Sequence, residues 1–196
     1  MKKIILWITA VILCLCFPVG AAAQSAPEEP ARLVDTADLL SATEETILLE
    51  QLNEISARQG VDLVIVTVNH LQDYEPEEFA KQYYKRNGYG QGLRKNGVML
   101  LISGSCHIYA KGFGAKAVNA NGEEYLRQQI TAILEEKEYA KAFSLFATEA
   151  DRLVEMARQG QPYKPVFNGW LYLLIGLAAA VVVFLGATFV LHKRKK

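Results

Sequence analysis

The chain has 196 residues, enough for one ordinary domain with targeting segments but not for two full domains. Its 51% hydrophobic content is ordinary, and its 21 basic and 21 acidic residues cancel. Two basic residues precede position 24 and four follow position 191, which leaves 15 against 21 acidic ones between them, a net of −6 that argues against nucleic acid as a partner.

Met1-Lys2-Lys3, the apolar run at 4–17 and Ala21-Ala22-Ala23 form a secretory signal, residues 1–23, with cleavage expected before Gln24. The apolar core is short for a span of about 20 residues, which disfavours an uncleaved anchor. Cleavage removes Cys14 and Cys16, and Val11-Ile12-Leu13 lacks the small residues that precede a lipidated cysteine. Cys106 then stands alone, so no intrachain disulfide is expected.

Residues 24–31 read as a flexible leader and 32–159 as one extracytoplasmic domain. Leu33-Val34 open a strand, followed by the turn Asp35-Thr36-Ala37-Asp38. Ser41 and Glu44 make a capping box for a helix that ends at Gly60, with Ile47, Leu48, Leu52 and Ile55 on its inner face. Residues 61–68 are β-branched and almost continuously apolar, as in a strand covered on both faces. Within it Asp62 is expected to face solvent at the sheet edge. Pro76 opens a second helix with Phe79, Ala80 and Tyr83 inward, and Asn87-Gly88 end it.

A glycine-rich loop, Gly88-Tyr89-Gly90-Gln91-Gly92, leads through Arg94, Lys95 and Asn96 into a buried strand at 97–102. Ser103-Gly104-Ser105 is a short turn into a strand at 107–111, so that pair is an antiparallel hairpin, whereas the first two long strands, joined by a helix, are parallel. After Gly112-Phe113-Gly114 a helix begins near Asn121, burying Tyr125, Leu126, Ile130, Ile133 and Leu134, and another spans residues 139–158. The order β-α-β-α-β-β-α-α predicts an α/β fold with helices against a small mixed sheet.

Residues 160–169 form a juxtamembrane linker. The uncharged apolar run 170–191 is long enough to span a bilayer, with Trp170 and Tyr172 at its entry and the basic tail 192–196 after it. The positive-inside rule puts that tail in the cytoplasm, giving a single-pass protein of the cytoplasmic membrane with its domain outside. Gln161-Pro162-Tyr163-Lys164-Pro165 is not a Leu-Pro-x-Thr-Gly sorting motif, so the tail is expected to stay attached.

Val34-Asp35-Thr36-Ala37-Asp38-Leu39-Leu40-Ser41, the strand at 61–68, Gly88-Tyr89-Gly90 with the segment 96–102, Gly112-Phe113-Gly114, and Tyr139-Ala140-Lys141-Ala142-Phe143 follow one another in an order that resembles the TPM domain family over about residues 32–158. The resemblance implies a Rossmann-like three-layer α/β/α sandwich. For function it implies either a phosphatase-like or divalent-metal-binding domain, or an accessory factor in the assembly or repair of membrane complexes. The sequence departs from the family where many relatives carry a charged Asp-Arg-Asp-like turn and this chain has Ser103-Gly104-Ser105. It departs again at Asn119-Ala120-Asn121, where relatives tend to have an acidic residue.

The residues that carry chemistry are few. Cys106 and His107 are consecutive in a strand and point to opposite faces, so they form no direct dyad. A Cys-x5-Arg phosphatase loop would need arginine where Gly112 stands. The glycine loop has no Gly-Lys-Ser/Thr ending and enters a strand, so Gly88, Gly90, Asn96, Gly97, Gly112 and Gly114 read as a structural motif. Arg94 and Lys95 beside it are candidates for an anionic group. Asp35 and Asp38, spaced i and i+3 in a turn, are candidate ligands for calcium or magnesium; the other reading is that they fix the turn by bonding nearby amides. No catalytic set is complete. The expectation is a membrane-anchored accessory or interaction factor for an envelope or membrane complex. The alternative is a weak divalent-metal-dependent phosphomonoesterase of the acid-phosphatase kind.

Overall fold

The computed structural model describes residues 29–165 and Leu177. The expected signal at 1–23 and basic tail lie outside the described residues, as does the expected span at 170–191 apart from Leu177. Among the described residues no helix is long and apolar enough to cross a membrane. The chain divides into units of residues 1–30 and 31–196, and the elements below belong to the second.

Four strands, β1 (Leu33–Asp35), β2 (Asp62–Thr67), β3 (Gly97–Ile102) and β4 (Cys106–Lys111), form one sheet in the order β1-β2-β3-β4. β1, β2 and β3 run parallel, with Leu33 opposite Ile65 and Val64 opposite Met99. β4 is antiparallel to β3, Leu101 facing His107. Helix α1 (Ala42–Gln59) joins β1 to β2, and α2 (Pro76–Arg86) joins β2 to β3, because parallel neighbours need a crossover connection. After β4 come α3 (Phe113–Ala117), α4 (Ala120–Glu135) and α5 (Tyr139–Arg158).

The helix ends follow local chemistry. Ser41 accepts from the Glu44 amide, Glu44 reaches back to Ser41, and Gly60 closes α1 at φ 57° in the left-handed region. Pro76 sits in the first turn of α2, where its missing N–H costs nothing. Asn119 caps α4 by accepting from the amides of Asn121 and Gly122.

β2 and β3 are buried along their whole length, and their alternation feeds two cores. Leu63, Ile65, Val98 and Leu100 pack with Leu52 of α1, Ile130 of α4 and Phe143 and Phe146 of α5. Val64, Val66, Met99 and Leu101 turn the other way, onto Ala80 and Tyr84 of α2 and onto Tyr89. Helices therefore cover both faces of the mixed sheet. Each fully buried large side chain contributes about 1.5–3 kcal/mol of transfer free energy.

Four expectations are corrected. Asp62 does not face solvent: it opens the interior strand β2, is 6% exposed, and is held by an ion pair. Ile47 is 62% exposed, so the inner face of α1 consists of Leu48, Leu52 and Ile55. β4 begins one residue earlier than expected, at Cys106. Gly112 caps an unanticipated helix, α3, that begins with Phe113 and Gly114 and whose five residues are too few for a periodic signal.

The described part of the expected linker is docked against the domain. The Tyr163 ring lies 4.7 Å from that of Tyr125, and Asn119 Nδ2 donates to the Tyr163 carbonyl at 3.3 Å. With α5 about 30 Å long, the chain has by then travelled the height of the domain. It leaves at the amino end of the parallel strands, where the Arg158 guanidinium donates to the Gln59 carbonyl at the end of α1.

Candidate functional site

The carboxyl ends of parallel strands in an open α/β sheet leave a crevice where ligands bind. Here that crevice is a cavity of about 680 Å³, within the range of small-molecule sites. The turns after β1, β2 and β3 form one wall, with Leu39, Asn69 and Ser105. The second half of α4, with Arg127, Thr131 and Glu135, and Tyr139 at the start of α5 form the other.

Asp35 braces this end from outside the cavity. One carboxylate oxygen accepts the amides of Leu39 and Leu40 at 2.7 and 2.8 Å, and the other accepts the Thr67 hydroxyl. Thr67 in turn accepts the Ala37 amide at 3.1 Å, so the tips of β1 and β2 are locked together. Asp35 thus has the turn-fixing bonds that were one reading of its sequence position. Asp38 is exposed, at φ 55°. Among the described residues no group of three or more His, Cys, Asp or Glu side chains is disposed to hold a metal ion.

Arg94 and Lys95 lie at the opposite, amino end of the sheet. Lys95 Nζ donates to the Gly88 carbonyl at 3.0 Å, and Arg94 is exposed at the loop tip. The structure therefore does not bring the candidate cation ligands and the candidate anion-binding residues together.

The six motif residues do share this end of the sheet, where Asp62 touches Gly90, Asn96 and Gly97. The Gly90 amide donates to Asp62 at 2.6 Å, Gln91 at 3.2 Å, and the Arg32 guanidinium through two nitrogens at 3.1 and 3.0 Å. Asn96 Oδ1 accepts the Phe113 amide at 2.8 Å. A Cβ at Gly97 would collide with the Tyr84 hydroxyl, and one at Gly114 with the Gly97 carbonyl. Lys85 at the end of α2 is tied in as well, its carbonyl accepting the Gly88 amide at 3.2 Å. The most recognisable stretch of sequence is thus a structural clasp at the end of the sheet remote from the cavity.

At the cavity itself, burial pushes the Cys106 thiol up to about 11, so it is protonated and a poor nucleophile at neutral pH. Burial, reinforced by Arg127, lowers the His107 pKa, which keeps the ring neutral there. Ser105 Oγ, at the end of the turn between β3 and β4, lies 2.8 Å from His107 Nε2 on β4, a contact that sequence reasoning missed. No third side chain is bonded to that ring among the described residues, so no relay forms. Ser103 Oγ, in the same turn, is buried without a hydrogen-bond partner among the described residues. Arg127, held by Glu123 and Glu124 at 3.1 and 3.4 Å, is a further cavity residue that the sequence reading passed over.

Against known proteins, residues 33–153 match the family model described as TPM domain. No curated protein matches the chain. Among solved structures, the N-terminal domain of a protein from P. gingivalis is similar at 16% identity, with a TM-score of 0.58 over 70% of this chain and 89% of that one. The N-terminal domain of the cg2496 protein from Corynebacterium glutamicum is similar at 13% identity, with a TM-score of 0.48 over 65% and 83%. At such identities the first likeness establishes fold alone.

Proposed function

Given that the chain belongs to the TPM domain family, we propose that it is a membrane-anchored extracytoplasmic accessory factor. It binds a protein of an envelope or membrane complex through the cavity at the carboxyl end of its sheet. One observation carries this reading: α4 and α5 place the cavity and the chain's exit at opposite ends of the domain. Arg127, Thr131 and Tyr139 are at the cavity, while Asn119, Arg158 and Tyr163 are at the exit. A tether formed by residues 170–191 would hold the exit end near the bilayer and present the cavity outward.

The cavity's chemistry favours binding over turnover. Its thiol is protonated, its histidine is bonded to no carboxylate among the described residues, and its walls mix apolar side chains (Leu39, Val68, Ile102, Leu134) with polar ones. The alternative, a divalent-metal-dependent phosphomonoesterase built on Asp35 and Asp38, asks for ligand capacity that Asp35 already spends on two amides and a hydroxyl.

Photo-crosslinking from the cavity rim in native membranes tests the proposal, and a discrete protein adduct is expected. Hydrolysis of p-nitrophenyl phosphate by the full chain, dependent on calcium or magnesium and lost in Asp35→Asn, would favour the alternative.

A further inference from the structure

The amino end of the sheet carries a feature that neither the fold nor the cavity uses. Gly92 and Lys95 close a turn through a 3.1 Å backbone bond, and between them Leu93 stands 105% exposed. The turn is rigid at its base, because Gln91 and Asn96 form a bridge and Gly90 is bonded to buried Asp62. A braced loop is thus projecting an apolar side chain into solvent, with Arg94 next to it.

Cations share that end of the sheet. Arg94, Lys95, Lys85, Lys111 and Lys116 are all exposed on the loop, at the end of α2, at the end of β4 and on α3, and none is ion-paired among the described residues. The opposite end is acidic, with Glu44 and Glu45 in the first turn of α1 and Glu77 and Glu78 in the first turn of α2. A domain region of net charge −6 has therefore gathered unpaired positive charge at one end.

That end is also where the chain departs. A Cβ built on Gly60 would lie 3.9 Å from the Arg158 guanidinium and 3.9 Å from the Gln91 side chain, so the exit of α5 and the glycine loop share a corner. In sequence, Trp170 follows Pro165 by five residues, a reach of at most about 17 Å.

From these juxtapositions we infer that the amino end of the sheet is a lipid-docking face: Arg94, Lys95, Lys111 and Lys116 contact anionic headgroups, and Leu93 enters the interfacial layer. The inference rests on the reading of residues 170–191 as a membrane span. An apolar tip flanked by cations suits a headgroup surface, where an apolar side chain gains burial and each cation improves partition about fivefold. Docking would fix the tilt of the domain and keep the cavity pointed away from the bilayer.

The test uses the full chain with Cys14, Cys16 and Cys106 replaced by alanine. A fluorophore is placed at Leu93→Cys or, as a control at the cavity end, at Ser105→Cys. The protein is reconstituted in phosphatidylcholine vesicles with and without phosphatidylglycerol, and quenching by headgroup spin-labelled lipid is read. The expected result is quenching at position 93 that requires phosphatidylglycerol, exceeds that at 105 and weakens at high salt. Arg94→Glu with Lys95→Glu should lower the docked fraction more than about tenfold, and Lys111→Glu with Lys116→Glu should act in the same direction from outside the loop. Equal quenching with and without phosphatidylglycerol, no excess over position 105, or indifference to both charge reversals overturns docking. Carbonate extraction scores the span separately: a chain released by carbonate that still shows lipid-dependent quenching refutes the tether and keeps the docking face. A retained chain without such quenching does the reverse.

Discussion

The carboxylate of Asp62 lies 2.6 Å from the amide nitrogen of Gly90, and this bond fastens the glycine loop to the first residue of the interior strand β2. Arg32, 14% exposed at its side chain, neutralises the same carboxylate at 3.0 Å and also reaches Asn53 of α1 at 2.9 Å. One buried charge thus joins the start of the domain, the central strand, a helix and the loop that precedes β3.

Removing that charge should be costly. Asp62→Ala removes the carboxylate that accepts from Arg32 and strips the Gly90 amide of its acceptor, so stability should fall by about 1–3 kcal/mol. Urea unfolding followed by circular dichroism measures it, with a lower midpoint and an unchanged slope expected. A loss below about 1 kcal/mol would show that the loop is held by other contacts.

The clasp also predicts a specific coupling. Gly97→Ala drives a methyl group into the Tyr84 hydroxyl, which itself donates to the Lys95 carbonyl at 3.2 Å. The substitution should cost about 1–3 kcal/mol. In a Tyr84→Leu background much of that cost should vanish, because the hydroxyl it collides with is gone. A double-mutant cycle by urea unfolding reads the coupling, and strict additivity would contradict it.

These two sites mark what sequence could and could not supply. α5, β3 and the Ser41–Glu44 box were legible because each is written in neighbouring residues: a long amphipathic period, an unbroken apolar run, a three-residue spacing. Asp62 was not, since its partners Arg32 and Gly90 stand 30 and 28 positions away and nothing local distinguishes a clasped carboxylate from an exposed one. Ile47 adjoins Leu48, so apolar character alone did not decide which of the two faces inward. The glycine motif stood out in sequence, but its role as a clasp depends on close approaches between β3, the loop and α3. The cavity is assembled from four separate segments and had no sequence signature.

Cys106 supplies a pH-dependent prediction. Its folded-state pKa, about 11, lies above the unfolded value of 9.0. Below pH 9 both states hold the proton and the thiol contributes no pH dependence. Between pH 9 and 11 the unfolded chain releases it more readily, so stability falls as pH rises. Thiolate absorbance should show a midpoint near 11 when folded, and Cys106→Ala should flatten the alkaline decline. A folded midpoint at or below 9.0 would mean that the thiol is open to solvent.

Asp35 should behave as a brace. Asp35→Asn exchanges a charged acceptor of two amides for a neutral one and should cost about 1–3 kcal/mol. Calcium or magnesium should shift the melting midpoint of neither form. A metal-dependent rise in the parent chain that disappears in the variant would instead identify Asp35 as a ligand.

Photo-crosslinking in native membranes tests whether the cavity holds a protein partner. A photoreactive residue replaces Asn69 or Glu135 on opposite walls of the cavity, or Arg94 at the other end as a control. One and the same protein adduct is expected from positions 69 and 135, absent from position 94 and weakened when Thr131→Trp obstructs the cavity. No adduct from either wall, or an adduct indifferent to Thr131→Trp, would contradict the cavity as the binding site.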